Sequence, residues 1–437
     1  MTTRRIDLAT MRRATRRADD GMLCGLLLLF QATAMLLLTF RTNPIDQQAL
    51  ILAGAMPAVT LLVMKGIPKI WRVDKVILAM VLFLGSVSVV TLTAIARSSE
   101  TPLTQAIYIV AGLIVMMAAI IFVRKIKNWQ GWTIPLMALS LAVIALPLII
   151  GDWKNGAKNW IEISQGGRTL ISVQPSEFVK VSLMVVLAGC LSARQSRIRK
   201  LTAVAFGAIL CGVLLLERDL GALLLYFFTT IILYFLATSN VLITFAGLGA
   251  GAAGAVGAYW MFDYVKKRVA IWQNPWMDPE VSGYQIIQAL VAIGSGGWSG
   301  MGLGLGLPRN IPLYHSDFIY AAICEEFGFV FALLLLAVYI IIVMRGISIA
   351  MSARNSFHAL LAFGVVTMIG LQTLLIVGGN IRLIPLTGVV LPFVASGGSS
   401  MVSCMAAIGL LLGISSLNAD ADAEDIRRAE WQDGRPV

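Results

Sequence analysis

Asp278 is the residue best placed to do chemistry. Residues 268–285 read RVAIWQNPWMDPEVSGYQ, so this aspartate stands between Trp272 and Trp276 on one side and Pro279 on the other. A lone carboxylate in an aromatic loop suits a general base that takes a proton from an attacking hydroxyl. The same Asp-Pro pair is also a good turn-former, and Glu280 is the neighbouring acid most easily confused with it. Other ionisable residues fall inside apolar stretches, where a charge costs several kcal/mol and faces a bundle interior or a wet cavity. Glu177 and Lys180 lie three apart on one helical face in QPSEFVK, Glu217, Arg218 and Asp219 form the turn ERDLG, and Glu325 and Glu326 follow HSDFIYAAIC. The structural readings are that Glu177 pairs with Lys180, that Asp317 caps a helix start, and that Glu325 and Glu326 serve helix packing or a subunit contact.

The elements that must position these residues are membrane helices. The chain has 437 residues, 58% hydrophobic and only 13% charged, with a mean hydropathy of +0.84. Soluble domains carry about 25% charged residues, and roughly 20 apolar residues cross a bilayer as a helix. The expected fold is therefore an all-α polytopic membrane protein. Twelve spans are predicted, at 22–40, 48–65, 76–96, 105–123, 132–150, 174–193, 201–216, 220–237, 241–262, 318–344, 358–378 and 389–416. Residues 1–21 form a basic arm, too charged and with too long a following span for a cleaved signal peptide. Placing the N-terminus inside puts twenty-two Lys and Arg in cytoplasmic segments and eleven on the other face, Lys180 within a span completing the thirty-four, as the positive-inside rule requires. Both termini are then cytoplasmic, and segments 151–173, 263–317 and 379–388 face outward. The net charge of +11 follows from this topology and from contact with anionic membrane lipids; nothing points to nucleic acid. The tail, 417–437, is polar and expected to be loosely ordered.

Two glycine-rich stretches invite function. GLGAGAAGAVGA (247–258) reads as a close-packing helix face. GSGGWSGMGLGLGLP (294–308) has seven glycines in fifteen residues but lacks the Lys-Ser/Thr ending of a phosphate loop, and is expected to be a bent segment over a cavity. The five cysteines have no metal-like spacing and there are two histidines, which supports neither a disulfide framework nor a zinc site.

Four blocks, in order, resemble the RodA/FtsW-type (shape, elongation, division and sporulation) family: GAKNWIEI with VQPSEFVKVSL (156–183), ERDLGALLLYF (217–227), the long block from WQNPWMDPEVSGYQ to AAICEEFG (272–328), and IPLTGVVLPFVASGGSS (384–400). The resemblance covers about 76–416 as a ten-span core and leaves 22–75 as two extra N-terminal transmembrane helices. The sequence departs from the family pattern at Asn159, where an arginine is usual beside the tryptophan, at Glu217-Arg218, where many members read Gln-Pro, and at Ala395-Ser396, where many read Ser-Tyr.

The resemblance implies a peptidoglycan glycosyltransferase of the bacterial cytoplasmic membrane that polymerises lipid II, working on undecaprenyl-pyrophosphate-linked glycan with a class B penicillin-binding protein as transpeptidase partner. Carried over by the Asn-Pro-x-x-Asp motif, the catalytic aspartate is Asp278. Glu177, Lys180, Asp219 and Ser399 fall at motif positions that line a central cavity. An inverting displacement of pyrophosphate needs one base and positive charge on the leaving group rather than a second carboxylate, for which Lys158, Lys180, Arg218 and Arg268 are the candidates. No metal ligand set is evident and no outward carboxylate cluster demands a cofactor; a divalent cation, Mg²⁺ or Mn²⁺, beside the pyrophosphate is compatible with the chemistry. A lipid II flippase or a non-catalytic transpeptidase scaffold would use the same fold without needing Asp278.

Overall fold

The computed structural model describes residues 3–41, 45–95, 100–126, 129–154, 156–165, 168–192 and 195–432. Its elements, in chain order, are α1 (Thr3–Thr39), α2 (Gln47–Ile70), α3 (Lys75–Ile95), α4 (Glu100–Lys125), α5 (Trp129–Ile150), β1 (Asp152–Lys154), β2 (Ala157–Gln165), β3 (Arg168–Val173), α6 (Pro175–Leu191), α7 (Arg197–Leu216), α8 (Leu220–Thr238), α9 (Val241–Met261), α10 (Asp263–Gln273), α11 (Tyr284–Gly296), α12 (Ile319–Met351), α13 (Ser356–Asn380) and α14 (Gly398–Gln432).

Among the described residues eleven helices are long and apolar enough to cross a membrane. The twelfth predicted span is α6, whose 17 residues extend about 26 Å, close to the hydrocarbon thickness. Helices α3, α6, α13 and α14 bury most of their surface in the bundle, whereas α9 buries no residue. Glycine permits the closest helix approach: a Cβ on Gly409 of α14 would fall 2.5 Å from the Met116 carbonyl oxygen of α4, so only a bare backbone fits there. The two extra helices are joined to the core by a buried amide, Gln31 Nε2 donating to Thr60 Oγ1 (2.8 Å) and to Ser86 Oγ (2.7 Å) on α2 and α3.

Three segments differ from the sequence reading. The first is 151–173, expected as a loop. It folds as an antiparallel sheet in the order β1-β2-β3, because IEIS alternates apolar and polar residues at the period of a strand and TLISV carries the β-branched Thr169, Ile171 and Val173 that strands favour. The second is 263–317, which holds α10 and α11 rather than one polar loop. The third is 389–416, where the helix begins only at Gly398 and continues to Gln432. Pro392 and a positive φ at Phe393 (64°) keep the preceding stretch irregular. Much of the tail expected to be loosely ordered is thus helix, held by Arg124 to Asp420 (2.8 Å) and by Arg354 to Asp425.

The sheet, α10 and α11 share one face of the bundle with the α7–α8 turn and residues 381–397, termed the loop face. Lys158 N donates to Glu217 O (2.9 Å) and Ser396 N to His315 O (2.8 Å) across it. The opposite face carries the Arg345–Asp74 (2.5 Å) and Arg124–Asp420 pairs.

Candidate functional site

A polar cavity of about 240 Å³ opens where β2, the start of α8, α10 and the segments 313–317 and 387–400 converge. The sequence dictates its floor. Leu216 ends α7 and Asp219 caps α8, its Oδ1 accepting from Ala222 N (3.0 Å), so the three residues ERD must reverse the chain. Arg218 takes the left-handed conformation that this requires, with φ 63°, and its guanidinium lies over Trp153 (4.7 Å) and Tyr264 (5.3 Å). Asp219 is the hub: its Oδ2 accepts from Asn159 Nδ2 (2.7 Å), Gln174 Nε2 (3.0 Å) and Ser176 Oγ (3.5 Å).

Arg268 enters from α10, its Nη1 donating to the carbonyls of Leu386 (3.1 Å) and Thr387 (3.2 Å). Ser399, at the start of α14, lines the same space and accepts from Gln174 N (3.2 Å). Two buried side-chain oxygens in the lining, Asn159 Oδ1 and Thr387 Oγ1, have no protein hydrogen-bond partner. Unpartnered polar atoms cost free energy where water or a ligand does not satisfy them. The lining sets two guanidinium groups, Arg218 and Arg268, beside two acids, Asp219 and Asp317; the guanidinium groups offer donors to an anionic group, and the unsatisfied oxygens suit hydroxyl donors.

Electrostatics of the lining are set by burial. Asp317 is pushed up to about 6, chiefly by burial and against the pull of Ser316 and Arg268. Glu217, behind the turn, is pushed up to about 8 by burial and by the adjacent Asp219. Burial also raises the Tyr264 hydroxyl, against Arg218 and Arg268.

Asp278 does not line this cavity. It follows a short 3₁₀ turn, Pro275–Met277, and is exposed, with Oδ2 accepting from Ser282 N (3.0 Å). Hydrogen bonds from Ser282 hold its carboxyl below the usual range, so it is ionised at neutral pH. Its turn is nevertheless anchored beside the cavity: Arg382, at φ 60°, donates to the Trp272 and Gln273 carbonyls (both 2.9 Å), and Trp272 Nε1 donates to Arg382 O (3.1 Å).

Glu177 and Lys180 also lie outside the lining, which corrects the expectation that they face the cavity. They pair at 2.5 Å within the bundle, where Lys180 Nζ further meets Gln372 Oε1 (3.2 Å) and Cys404 Sγ (3.4 Å) and Ser403 Oγ donates to Glu177 (2.9 Å). This set ties α6, α13 and α14 together. Lys158 turns away, its Nζ donating to Leu148 O (2.8 Å).

Asp317 does not cap α12. Asn380 does so from α13, its Oδ1 accepting from Ala321 N (3.2 Å) while Nδ2 donates to Asp317 O (2.8 Å), which frees the Asp317 carboxyl for the cavity. The glycine segment 294–308 contributes nothing to the cavity and instead wraps Glu325 and Glu326, which are therefore packing residues. Its path requires Gly328, at φ 83° in a kink of α12, where a side chain would collide with Gly300 N. Sequence reasoning missed the cavity roles of Gln174, His315 and Thr387 and the clasp by Arg382; no local motif signals them.

A second hollow of about 100 Å³ lies between α1, α2, α3, α4 and α14 and is apolar apart from Gln31, Thr60 and Ser86. It holds no charge, so the polar cavity is the candidate site.

Residues 69–419 match the FtsW/RodA/SpoVE cell cycle protein family. The chain is 35% identical to the stage V sporulation protein E of Bacillus subtilis over 309 residues, 68% of this chain and 83% of that protein. It is 37% identical to the peptidoglycan glycosyltransferase RodA of Mycobacterium bovis over 292 residues, 63% of this chain but 61% of that longer protein. A chain in a solved peptidoglycan synthase complex superposes with a TM-score of 0.66 at 26% identity, covering 79% of this chain and 98% of that one.

Proposed function

The chain belongs to the FtsW/RodA/SpoVE family of multi-pass bacterial cytoplasmic-membrane proteins, and from that premise we propose that it is a peptidoglycan glycosyltransferase that polymerises lipid II on the outer face of the membrane. The observation that carries the reading is that Arg218 and Arg268 line one polar cavity on the loop face, and that Arg268 sits on the helix leading directly into the Asp278 turn.

In this reading the pyrophosphate of undecaprenyl-pyrophosphate-linked glycan lies against Arg218 and Arg268, with Asn159 Oδ1 and Thr387 Oγ1 facing hydroxyls of the substrate. The acceptor hydroxyl oxygen attacks the anomeric carbon, the bond from that carbon to the pyrophosphate oxygen breaks, and the hydroxyl proton passes to the Asp278 carboxylate. The leaving pyrophosphate departs as an anion held by the two arginines. Ionised Asp278 is ready to accept, but its exposed turn must close over the sugar, since catalytic contacts often tighten only when substrate is bound. Among the described residues no three His, Cys, Asp or Glu side chains converge on a metal position. The donor set therefore does not fit a protein-built cage for the divalent cation, and the arginines meet the phosphate charge. A class B penicillin-binding protein is the transpeptidase partner on this reading.

The test supplies purified protein, with and without that partner, with labelled lipid II and compares wild type with Asp278→Asn and Glu280→Gln. Long glycan strands from wild type and Glu280→Gln, with a loss of about 10²–10⁴ in Asp278→Asn, are expected. Equal polymer from Asp278→Asn would remove it as the base. No polymer from any variant would turn the reading to flipping or scaffolding.

A further inference from the structure

Arg41, at the end of α1 on the loop face, meets three elements at once. Its Nη1 donates to the Ala94 carbonyl (3.3 Å) in the last turn of α3, and Arg309 Nε, just past the glycine segment, donates to the next carbonyl, Ile95 O (2.9 Å). Cations at a helix C-terminus satisfy its free carbonyls. Arg41 also approaches the glycine segment through Nη1: a Cβ on Gly304 would collide with that atom.

Beneath that contact are two adjacent buried acids, Glu325 and Glu326, 5% and 1% exposed. The glycine segment binds both. Gly304 N donates to Glu326 Oε2 and Leu307 N to Glu325 Oε1 (2.9 Å), while Met301 N and Gly302 N donate to the Glu325 and Glu326 carbonyls (2.8 and 3.0 Å). Each carboxylate keeps one buried oxygen without a hydrogen bond, Glu325 Oε2 and Glu326 Oε1. Neighbouring buried acids demand a counter-charge. Arg41 is the cation pressed against the residue whose amide binds Glu326.

We propose that Arg41 is a positioning residue by which the N-terminal two-helix extension supplies that counter-charge, holds the glycine segment closed over Glu325 and Glu326, and through α11 steadies the Asp278 turn. Helix α11 is the link. It starts from the turn, with Gly283 N donating to Asp278 O (2.8 Å), and its last residue, Gly296, abuts Cys324 O and the Glu325 backbone. Thirteen residues make a strut of about 20 Å. The family match begins at residue 69, so Arg41 and the two extra helices, but for the very end of α2, lie outside what the family shares. The device belongs to this chain's own extension.

Only the activity arm of the test rests on the polymerase reading. Full-length protein in lipid nanodiscs is followed by amide hydrogen exchange over 300–307 in wild type, Arg41→Gln, Glu326→Gln and the double variant. Arg41→Gln keeps a donor for Ala94 O but removes the charge. Exchange should quicken roughly tenfold in Arg41→Gln, an opening of the segment rather than global unfolding. It should return towards wild type in the double variant, because the neutral amide that Glu326→Gln introduces accepts from Gly304 N without needing a cation. Unchanged exchange in Arg41→Gln, or no recovery in the double variant, would overturn the assignment. In polymerisation, Arg41→Gln should lower kcat with KM little changed. If wild type makes no polymer, the polymerase reading fails while exchange still decides the role of Arg41.

Discussion

Replacing Glu217 by Gln should remove an alkaline weakness built into the turn that presents Arg218. Glu217 is 1% exposed, its Oε1 has no hydrogen-bond partner, and it stands beside Asp219. Burial, then the Asp219 charge, raise its carboxyl from 4.5 to about 8. The folded chain therefore keeps a proton that the unfolded chain releases between those values, so stability falls as pH rises through that window and levels off above pH 8. The slope is about 1.4 kcal/mol per pH unit, which amounts to roughly 4 kcal/mol between pH 5 and pH 9. At about 2.1 cal/mol/K of unfolding entropy per residue, a chain of this length converts that into roughly 4 °C of melting temperature. Melting curves in nanodiscs from pH 5 to 9 should slope downward for wild type, and Glu217→Gln should lack this component and exceed wild type at pH 9. Parallel curves, or a Glu217→Gln protein less stable at pH 9, would refute the reasoning. The polymerisation rate should follow, since an ionised Glu217 beside Asp219 disturbs the turn carrying Arg218.

Two further outcomes are expected. Asp317, pushed up to about 6, loses its charge as pH falls through that value and leaves Arg268 less opposed, so competitive inhibition by inorganic pyrophosphate should tighten several-fold from pH 7 to pH 5, an effect of about 1 kcal/mol. Asp317→Asn should flatten that dependence in the same inhibition assay. Lys180→Met strands Glu177 inside the bundle, and should cost about 3–5 kcal/mol, seen as a lower melting temperature and yield, with Glu177→Gln in the same chain recovering part of it.

The membrane helices and the family could be read from the sequence because both are written locally. An apolar run long enough to span the bilayer satisfies its own backbone hydrogen bonds, so α2, α3, α8 and α13 could be placed from composition alone. Long blocks such as 272–328 carry their motifs in consecutive residues. The spacing of Glu177 and Lys180 likewise announced their pairing. What only the tertiary structure decided is where each polar side chain points. Asp317 looked like a helix cap until Asn380, 63 residues away, took that role. The departures at Asn159, Arg218 and Ser396, scattered over more than half of the sequence, all line one cavity, and Arg41 reaches a glycine segment more than 250 residues further on. In a bilayer apolar surface drives helices into the membrane but does not choose among their partners. The choice rests on close packing and buried hydrogen bonds between distant residues, and no local pattern in the chain records it.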